Sequence, residues 1–165
     1  MKTSSTQIRR AVESDVSDIL RLIRELADFE REPEAVEVTE EDLLRAGFGP
    51  EPLFECLLAF RDAEVVGLAL YYYRFSTWKG RALHLEDLIV SERFRGKGIG
   101  SLLLDEVVEL GRRQGLRRIY WEVLEWNRPA IDFYESRGAT IMEDWRMVHL
   151  GEEAITNYPA GKRTE

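Results

Sequence analysis

Leu83-His-Leu-Glu-Asp-Leu-Ile-Val90-Ser-Glu-Arg-Phe-Arg95-Gly-Lys-Gly-Ile-Gly100 decides the fold of this chain. An apolar, strand-like segment from Leu83 to Val90 runs into a glycine-rich loop, and an amphipathic, helix-like segment leaves it. Gly96, Gly98 and Gly100 stand at alternate positions, so backbone N–H groups can approach a ligand without Cβ obstruction. The helix that follows aims its positive N-terminal end and its unpaired amides at the same place. Arg93, Arg95 and Lys97 add positive charge. A loop built this way suits a pyrophosphate.

The spacing is not that of a P-loop, because no Gly-Lys-Ser/Thr follows a four-residue gap. Nor is it a good dinucleotide fingerprint, since the glycines read G-x-G-x-G after a charged stretch of five residues. Glu122, about twenty residues downstream, lies where a ribose-binding acid would sit. Against that reading, the motif begins past mid-chain, with one further strand–helix unit behind it. A plain glycine-rich turn with solvated arginines is the remaining reading.

The chain has 165 residues, 44% hydrophobic and 33% charged, which fits a single globular domain with a sizeable core. The single domain is expected to span residues 1–165, with its core over about 7–150 and a tail from Gly151 onward that lacks periodicity. No apolar run approaches the length of a membrane span, and the first residues lack an apolar signal region. The one cysteine, Cys56, sits in an apolar run and reads as packing. A cytoplasmic protein fits these features. The net charge of −8 disfavours nucleic acid as a partner and is compatible with a cationic substrate. His84 and His149 have no Cys or His partners at ligand spacing, so no metal is expected.

Ile8 to Ala11 reads as a short strand. Ile19, Leu22, Ile23, Leu26 and Phe29 recur at helical spacing, predicting a helix over roughly 14–30. Thr39-Glu-Glu-Asp42 is a capping-box pattern opening a second helix, ended by Gly47. Residues 53–60 and 64–75 read as a hairpin turning at 61–63, and a strand over about 81–90 follows. A helix carrying Ile99, Leu102, Leu103, Val107 and Leu110 stops near Gly115. Arg118 to Leu124 reads as a strand, Arg128 to Ser136 as a helix with Asn127 before it and Gly138 after, and Trp145 to Leu150 as a last strand. The order β-α-α-β-β-β-α-β-α-β is a mixed α/β domain.

Two motifs carry a resemblance. Arg93-x-x-Gly96-x-Gly98 matches the pyrophosphate signature of the GNAT N-acetyltransferase superfamily. Trp126-Asn-Arg-Pro-Ala-Ile-Asp-Phe-Tyr134, followed by Arg137-Gly-Ala139, resembles that superfamily's W-N-x-x-A-I-x-F-Y block. More narrowly, Asp18 to Ala27, Thr39 to Phe48, Leu85-Glu-Asp87 and Arg95 to Ser101 look like the diamine/polyamine (spermidine/spermine) N-acetyltransferases and the related thialysine Nε-acetyltransferases. The likeness runs from about residue 7 to 150. It implies a single-domain GNAT fold, a mixed central sheet of about six to seven strands flanked by about four helices, and an acyltransferase that uses acetyl-CoA without a metal.

Acetyl transfer to an amine needs a route for the amine proton, because a primary alkylamine has a pKa near ~10.4. A neighbouring carboxylate can bind the ammonium and relay that proton. Glu86 and Asp87 lie on the strand before the loop, and a regular strand would offer only one of them to the site. Periodicity does not choose between them. From spacing alone Tyr134 reads first as helix packing and second as a phenol able to protonate a thiolate.

Carried over by resemblance, Leu88 and Val90 offer backbone to the pantetheine arm. Arg95, Gly96, Lys97, Gly98, Ile99, Gly100 and Ser101 bind the pyrophosphate, and Asn127 and Tyr134 complete the cofactor site. Tyr134 is the general acid and Glu86 the water-linked base. Glu30, Asp87 and Trp145 line the amine channel with Glu86, and a homodimer is implied. Where polyamine enzymes carry Asp-Pro-Trp, this chain has Ser76-Thr77-Trp78, which looks like the thialysine branch and places Ser76 and Trp78 among the acceptor-binding positions. Losing that carboxylate favours a shorter amine: thialysine-like, lysine-like or a small diamine. Spermidine or spermine acetylation is the alternative within this group. Peptide acetylation and a non-catalytic acyl-CoA sensor are two more.

Overall fold

A computed structural model describes residues 5–159 of the chain. They fall into two compact units, one ending at Leu124 and one beginning at Glu125.

In the first unit, β1 (Gln7–Arg10), β2 (Glu55–Arg61), β3 (Glu64–Ser76), β4 (Gly80–Val90) and β5 (Ile119–Tyr120) form one sheet in chain order. The first four strands are successively antiparallel, and β5 joins β4 in parallel. Seven consecutive residues of β3, Val65–Tyr71, are buried, so this strand is covered on both faces.

One cover is α1 (Val16–Phe29) with α2 (Glu40–Phe48). Ile19, Leu22 and Leu43 pack there with Leu58, Leu68, Leu70 and Ile89. Ile19 and Leu22 are fully buried, each contributing roughly 1.5–3 kcal/mol. The other cover is α3 (Ile99–Arg113), whose Ile99, Leu103 and Val107 are buried. At Gly67 a Cβ would lie 2.8 Å from the Ile89 carbonyl oxygen and 3.2 Å from Leu103 Cδ1, so the glycine lets α3 seat closely.

Two polar ties fix the edge of this packing. Arg21 of α1 donates to the Val65 carbonyl at 2.8 Å. Ser91, at the end of β4, donates its hydroxyl to Glu25 of α1 at 2.7 Å. α2 begins with the capping box expected at Thr39, whose Oγ1 accepts from the Asp42 amide at 3.2 Å while Asp42 accepts from the Thr39 amide at 3.0 Å. The helix runs through Gly47 to Phe48. The β2–β3 turn is Asp62–Ala63, both with positive φ, as a two-residue hairpin loop demands.

The second unit contains α4 (Arg128–Ser136) and α5 (Glu152–Thr156). Asn127 caps α4, accepting from the Ala130 amide at 3.4 Å, and Gly138 follows it with φ 85°. Ile131 and Tyr134 are its buried residues. Among the described residues no helix is long and apolar enough to cross a membrane.

The strand count differs from the sequence expectation: the described residues hold five strands and five α-helices, not six to seven and four. Of the strand expected over Arg118 to Leu124, only Ile119–Tyr120 pairs. Alternate exposure continues through Leu124, but no ladder partner accompanies it. Trp145 to Leu150 is exposed and forms no ladder, because alternation selects a face without supplying a neighbour. The tail read as aperiodic includes a short helix, α5.

Candidate active site

The β3–β4 ladder slips by one residue in the middle. Leu70 pairs with Asp87 and Tyr71 with Leu85, leaving Glu86 as the extra residue of a β-bulge. Cross-strand partners share a face and neighbours along a strand do not. Leu70 and Asp87 therefore lie on the face packed by α1, together with Tyr72 and its partner His84. Glu86 reaches that group as well: its Oε2 is 3.4 Å from His84 Nε2, and the Tyr72 hydroxyl hydrogen-bonds to it. The expectation that a regular strand would offer only one of Glu86 and Asp87 is thus corrected, because the strand is not regular there.

The electrostatics follow from this crowding. Burial, then the charges of Glu86 and Glu30, push the Asp87 carboxyl up to about 6. Glu30, just past the end of α1, is itself raised by burial. The Tyr72 hydroxyl is raised by burial and by Glu86 and Glu122. Asp87 is close enough to feel both Glu86 and Glu30, and carboxylates gathered around it favour a cationic occupant.

β5 pairs with β4 only at Leu83↔Ile119 and His84↔Tyr120. Ser91 donates its amide to the Val66 carbonyl at 2.9 Å, so Val90 and Leu88 turn their amides and carbonyls the other way, toward the edge that β5 has left. Beyond them the chain makes a 3-10 turn, Glu92–Phe94, and enters the glycine loop. Gly96 and Gly98 have φ of 71° and 79°, and a Cβ on either would meet nothing within 4 Å. The loop leaves open space in front of the N-terminus of α3, where the amides of Ile99, Gly100 and Ser101 lack helical acceptors. This cradle fits the pyrophosphate of a nucleotide-like cofactor. Arg95 donates through Nε to the Val90 carbonyl at 2.9 Å and stacks on Phe29, while Lys97 reaches the Arg93 carbonyl at 3.0 Å. Arg93 pairs with Glu64.

The other expected positions belong to other elements. Ser76 and Trp78 occupy the β3–β4 turn, where Ser76 Oγ accepts from the Trp78 and Lys79 amides, each at 3.2 Å. From Gly80 to Glu86 the strand covers about 20 Å at ~3.3 Å per residue, so the turn is not part of the carboxylate group. Asn127 and Tyr134 are spaced seven residues apart on one face of α4, with Ile131 between them. Trp145 is exposed in the irregular segment after α4.

Residues 17–139 match the acetyltransferase (GNAT) family. The chain belongs to that family. This GNAT chain is 40% identical to the thialysine N-epsilon-acetyltransferase of Mus musculus, over 92% of its own length and 96% of the relative's. The Bos taurus protein of the same name is 41% identical, over 94% and 97%. A human spermidine/spermine N(1)-acetyltransferase-like protein 1 is 38% identical over 90% of this chain, but only 23% of that longer protein is matched. Among solved structures, an integron cassette protein from the mobile metagenome of V. cholerae superposes with a TM-score of 0.77 at 24% identity, covering 92% and 96% of the two chains. An aminoglycoside N-acetyltransferase in complex with CoA superposes at 0.71 and 18% identity, covering 92% and 97%. At those identities the likeness shows the GNAT fold alone.

Sequence reasoning passed over two side chains beside the GNAT carboxylates: His84 and Glu122. His84 looked idle because it has no metal-ligand spacing, and Glu122 drew notice only as a ribose-binding acid. The available signal was His84-x-Glu86, two polar residues sharing a strand face within an apolar run.

Proposed function

We propose that this GNAT chain transfers the acetyl group of acetyl-CoA directly to a small primary amine of the thialysine, lysine or short-diamine kind. The observation that carries this reading is the cluster of Glu30, Glu86 and Asp87 at the β4 bulge, a few residues before the pyrophosphate-type loop. The similarity to thialysine N-epsilon-acetyltransferases over nearly the whole chain supports the acceptor class, as does Ser76 in place of a carboxylate. The match to a spermidine/spermine acetyltransferase-like protein keeps polyamines as the second reading.

In this mechanism Glu30 and Asp87 bind the ammonium, and Glu86 accepts its proton through a water. Arg95 to Ser101 hold the pyrophosphate, the backbone of Leu88 and Val90 holds the pantetheine arm, and Asn127 completes that site. Bound acetyl-CoA supplies a thioester whose acyl carbon is open to attack by the neutral amine. The Tyr134 hydroxyl delivers a proton to the departing thiolate. Direct transfer is favoured over an acetyl-enzyme because the only cysteine is buried and its thiol is raised by that burial. Trp145 is assigned to the acceptor site, and Ser76 and Trp78 to the far end of it, away from the carboxylates, where the distant end of a longer amine would lie, in a single-domain protein acting as a cytoplasmic homodimer. Exposed Phe75 and Trp78, and the exposed apolar run of Met147, Val148 and Leu150, support such a dimer.

Thiol release from acetyl-CoA across thialysine, lysine, putrescine, spermidine and a short peptide tests this reading. Thialysine or lysine is expected to lead. Spermidine in first place would establish the polyamine reading, and no turnover with any amine would sink both. In the same assay Tyr134→Phe is expected to lower kcat and leave the KM for acetyl-CoA in place.

A further inference from the structure

Four polar side chains close on one another where β4 parts from β5. His84 is 5% exposed and aims Nε2 at two carboxylate oxygens, Glu122 Oε2 at 3.0 Å and Glu86 Oε2 at 3.4 Å. Tyr72, opposite His84 in the ladder, lies against the imidazole with ring centroids 5.0 Å apart and planes 21° from parallel. Its hydroxyl hydrogen-bonds Glu86. Nδ1 of His84 is buried without a hydrogen-bond partner among the described residues.

This arrangement settles which nitrogen carries the hydrogen. Ionised carboxylates accept and cannot donate, so Nε2 between two of them must be the donor. A hydrogen on Nδ1 would face no acceptor. The ring therefore carries a hydrogen on Nε2, with Glu122 as the nearer partner. The remaining charged groups around the network are Asp87 on β4, Glu30 after α1 and Arg74 on β3.

Glu86 needs such a partner. Its side chain is 51% exposed and turns about three bonds, so without tethers it would sample many rotamers. A proton acceptor works only within hydrogen-bond reach of its proton. Tyr72, half-buried, and His84, buried, approach it from adjacent strands of the sheet, the kind of support that holds a working geometry.

We propose that His84 is a positioning residue for acetyl transfer: its Nε2–H, kept on that nitrogen by Glu122, fixes the Glu86 carboxylate for the acceptor amine. The inference rests on the reading of Glu86 as proton acceptor. It adds two residues, His84 and Glu122, to the machinery of the reaction.

The test uses the full chain and steady-state kinetics with acetyl-CoA and the best amine of the panel. His84→Phe, His84→Gln and Glu122→Ala are measured alone and in a Glu86→Gln background. His84→Phe leaves a ring for Tyr72 and removes the N–H; kcat is expected to fall about tenfold or more, with the acetyl-CoA KM unchanged. His84→Gln returns an N–H near the Nε2 position and is expected to recover most of that loss. Glu122→Ala, at a half-exposed carboxylate that puts folding at little risk, is expected to cost about threefold. In the Glu86→Gln background each substitution should change kcat less than about twofold, because the group being positioned has lost its role. Equal losses in both backgrounds, or full kcat in His84→Phe, would overturn the positioning role. Should His84→Phe not fold, Glu122→Ala and His84→Gln across the two backgrounds give the same decision. Unchanged kcat in Glu86→Gln alone would mark a different failure, that of the Glu86 reading, and would take the proposal with it.

Discussion

At Leu83 and His84, β4 has a neighbour on each edge, whereas from Leu85 to Val90 it is bonded to β3 alone. The paired stretch holds Leu83, essentially inaccessible like Ala82 before it and Leu85 after it, and makes no polar demand beyond His84. The one-sided half carries the extra residue Glu86, the raised Asp87, and the outward backbone groups of Leu88 and Val90. A single strand thus serves as core at one end and as reactive surface at the other. The change comes where the parallel neighbour stops, not where the composition of the strand changes.

The largest expected effect probes the paired half. Leu83→Ala removes a fully buried side chain between Tyr73 and Ile119 and is expected to cost about 2–5 kcal/mol in denaturant unfolding, with kcat per folded molecule retained. A drop in kcat without a loss of stability would break the division between the halves.

Asp87→Asn probes the other half, and its sign depends on pH. The folded carboxyl sits at about 6, above its ordinary 3.8, so folding favours the protonated form. That contribution is complete below about pH 4 and is lost as the pH rises through 6. Asparagine stays neutral throughout, so the variant is expected to match the parent near pH 4 and to exceed its stability near pH 8 by about 2–3 kcal/mol. Its activity should fall at every pH. A variant less stable than the parent near pH 8 would mean that Asp87 is held by partners and not strained by burial.

The smallest effect is a control away from β4. Ala63 has φ 67° in the β2–β3 turn, a conformation that glycine adopts without steric cost. Ala63→Gly is expected to gain about 0.5–1 kcal/mol after the flexibility it adds to the unfolded chain is subtracted. Thermal unfolding with unchanged kinetics checks it, and any shift in kcat would mean the halves of β4 are not mechanically insulated from the rest of the sheet.

Local rules made most of this fold legible. The stripe Ile19, Leu22, Leu26 announces α1, Thr39 and Asp42 announce the start of α2, and Gly98 marks the entry to α3. Each depends on residues within one or two turns. The bulge was not legible, because one inserted residue leaves the alternation of β4 readable in either register. His84 with Glu122 was hidden for a related reason: the two belong to different elements, and spacing along the chain says nothing about such meetings, so Glu30 with Asp87 came from the resemblance alone. The short β5 and the unladdered Trp145 to Leu150 fall in the same class, since a strand is defined by its neighbour.

The buried sulfur of Cys56 has a practical side. It is the sole thiol of the chain, it lies in the α1 face of the sheet, and burial raises it far from the thiolate form. A colorimetric reagent that reacts with thiolates will find nothing to label on the folded protein. Every thiol such a reagent counts during turnover therefore comes from the donor, so the readings need no enzyme blank. A cysteine introduced at an exposed site such as Leu53 would be the one reactive handle on the native molecule.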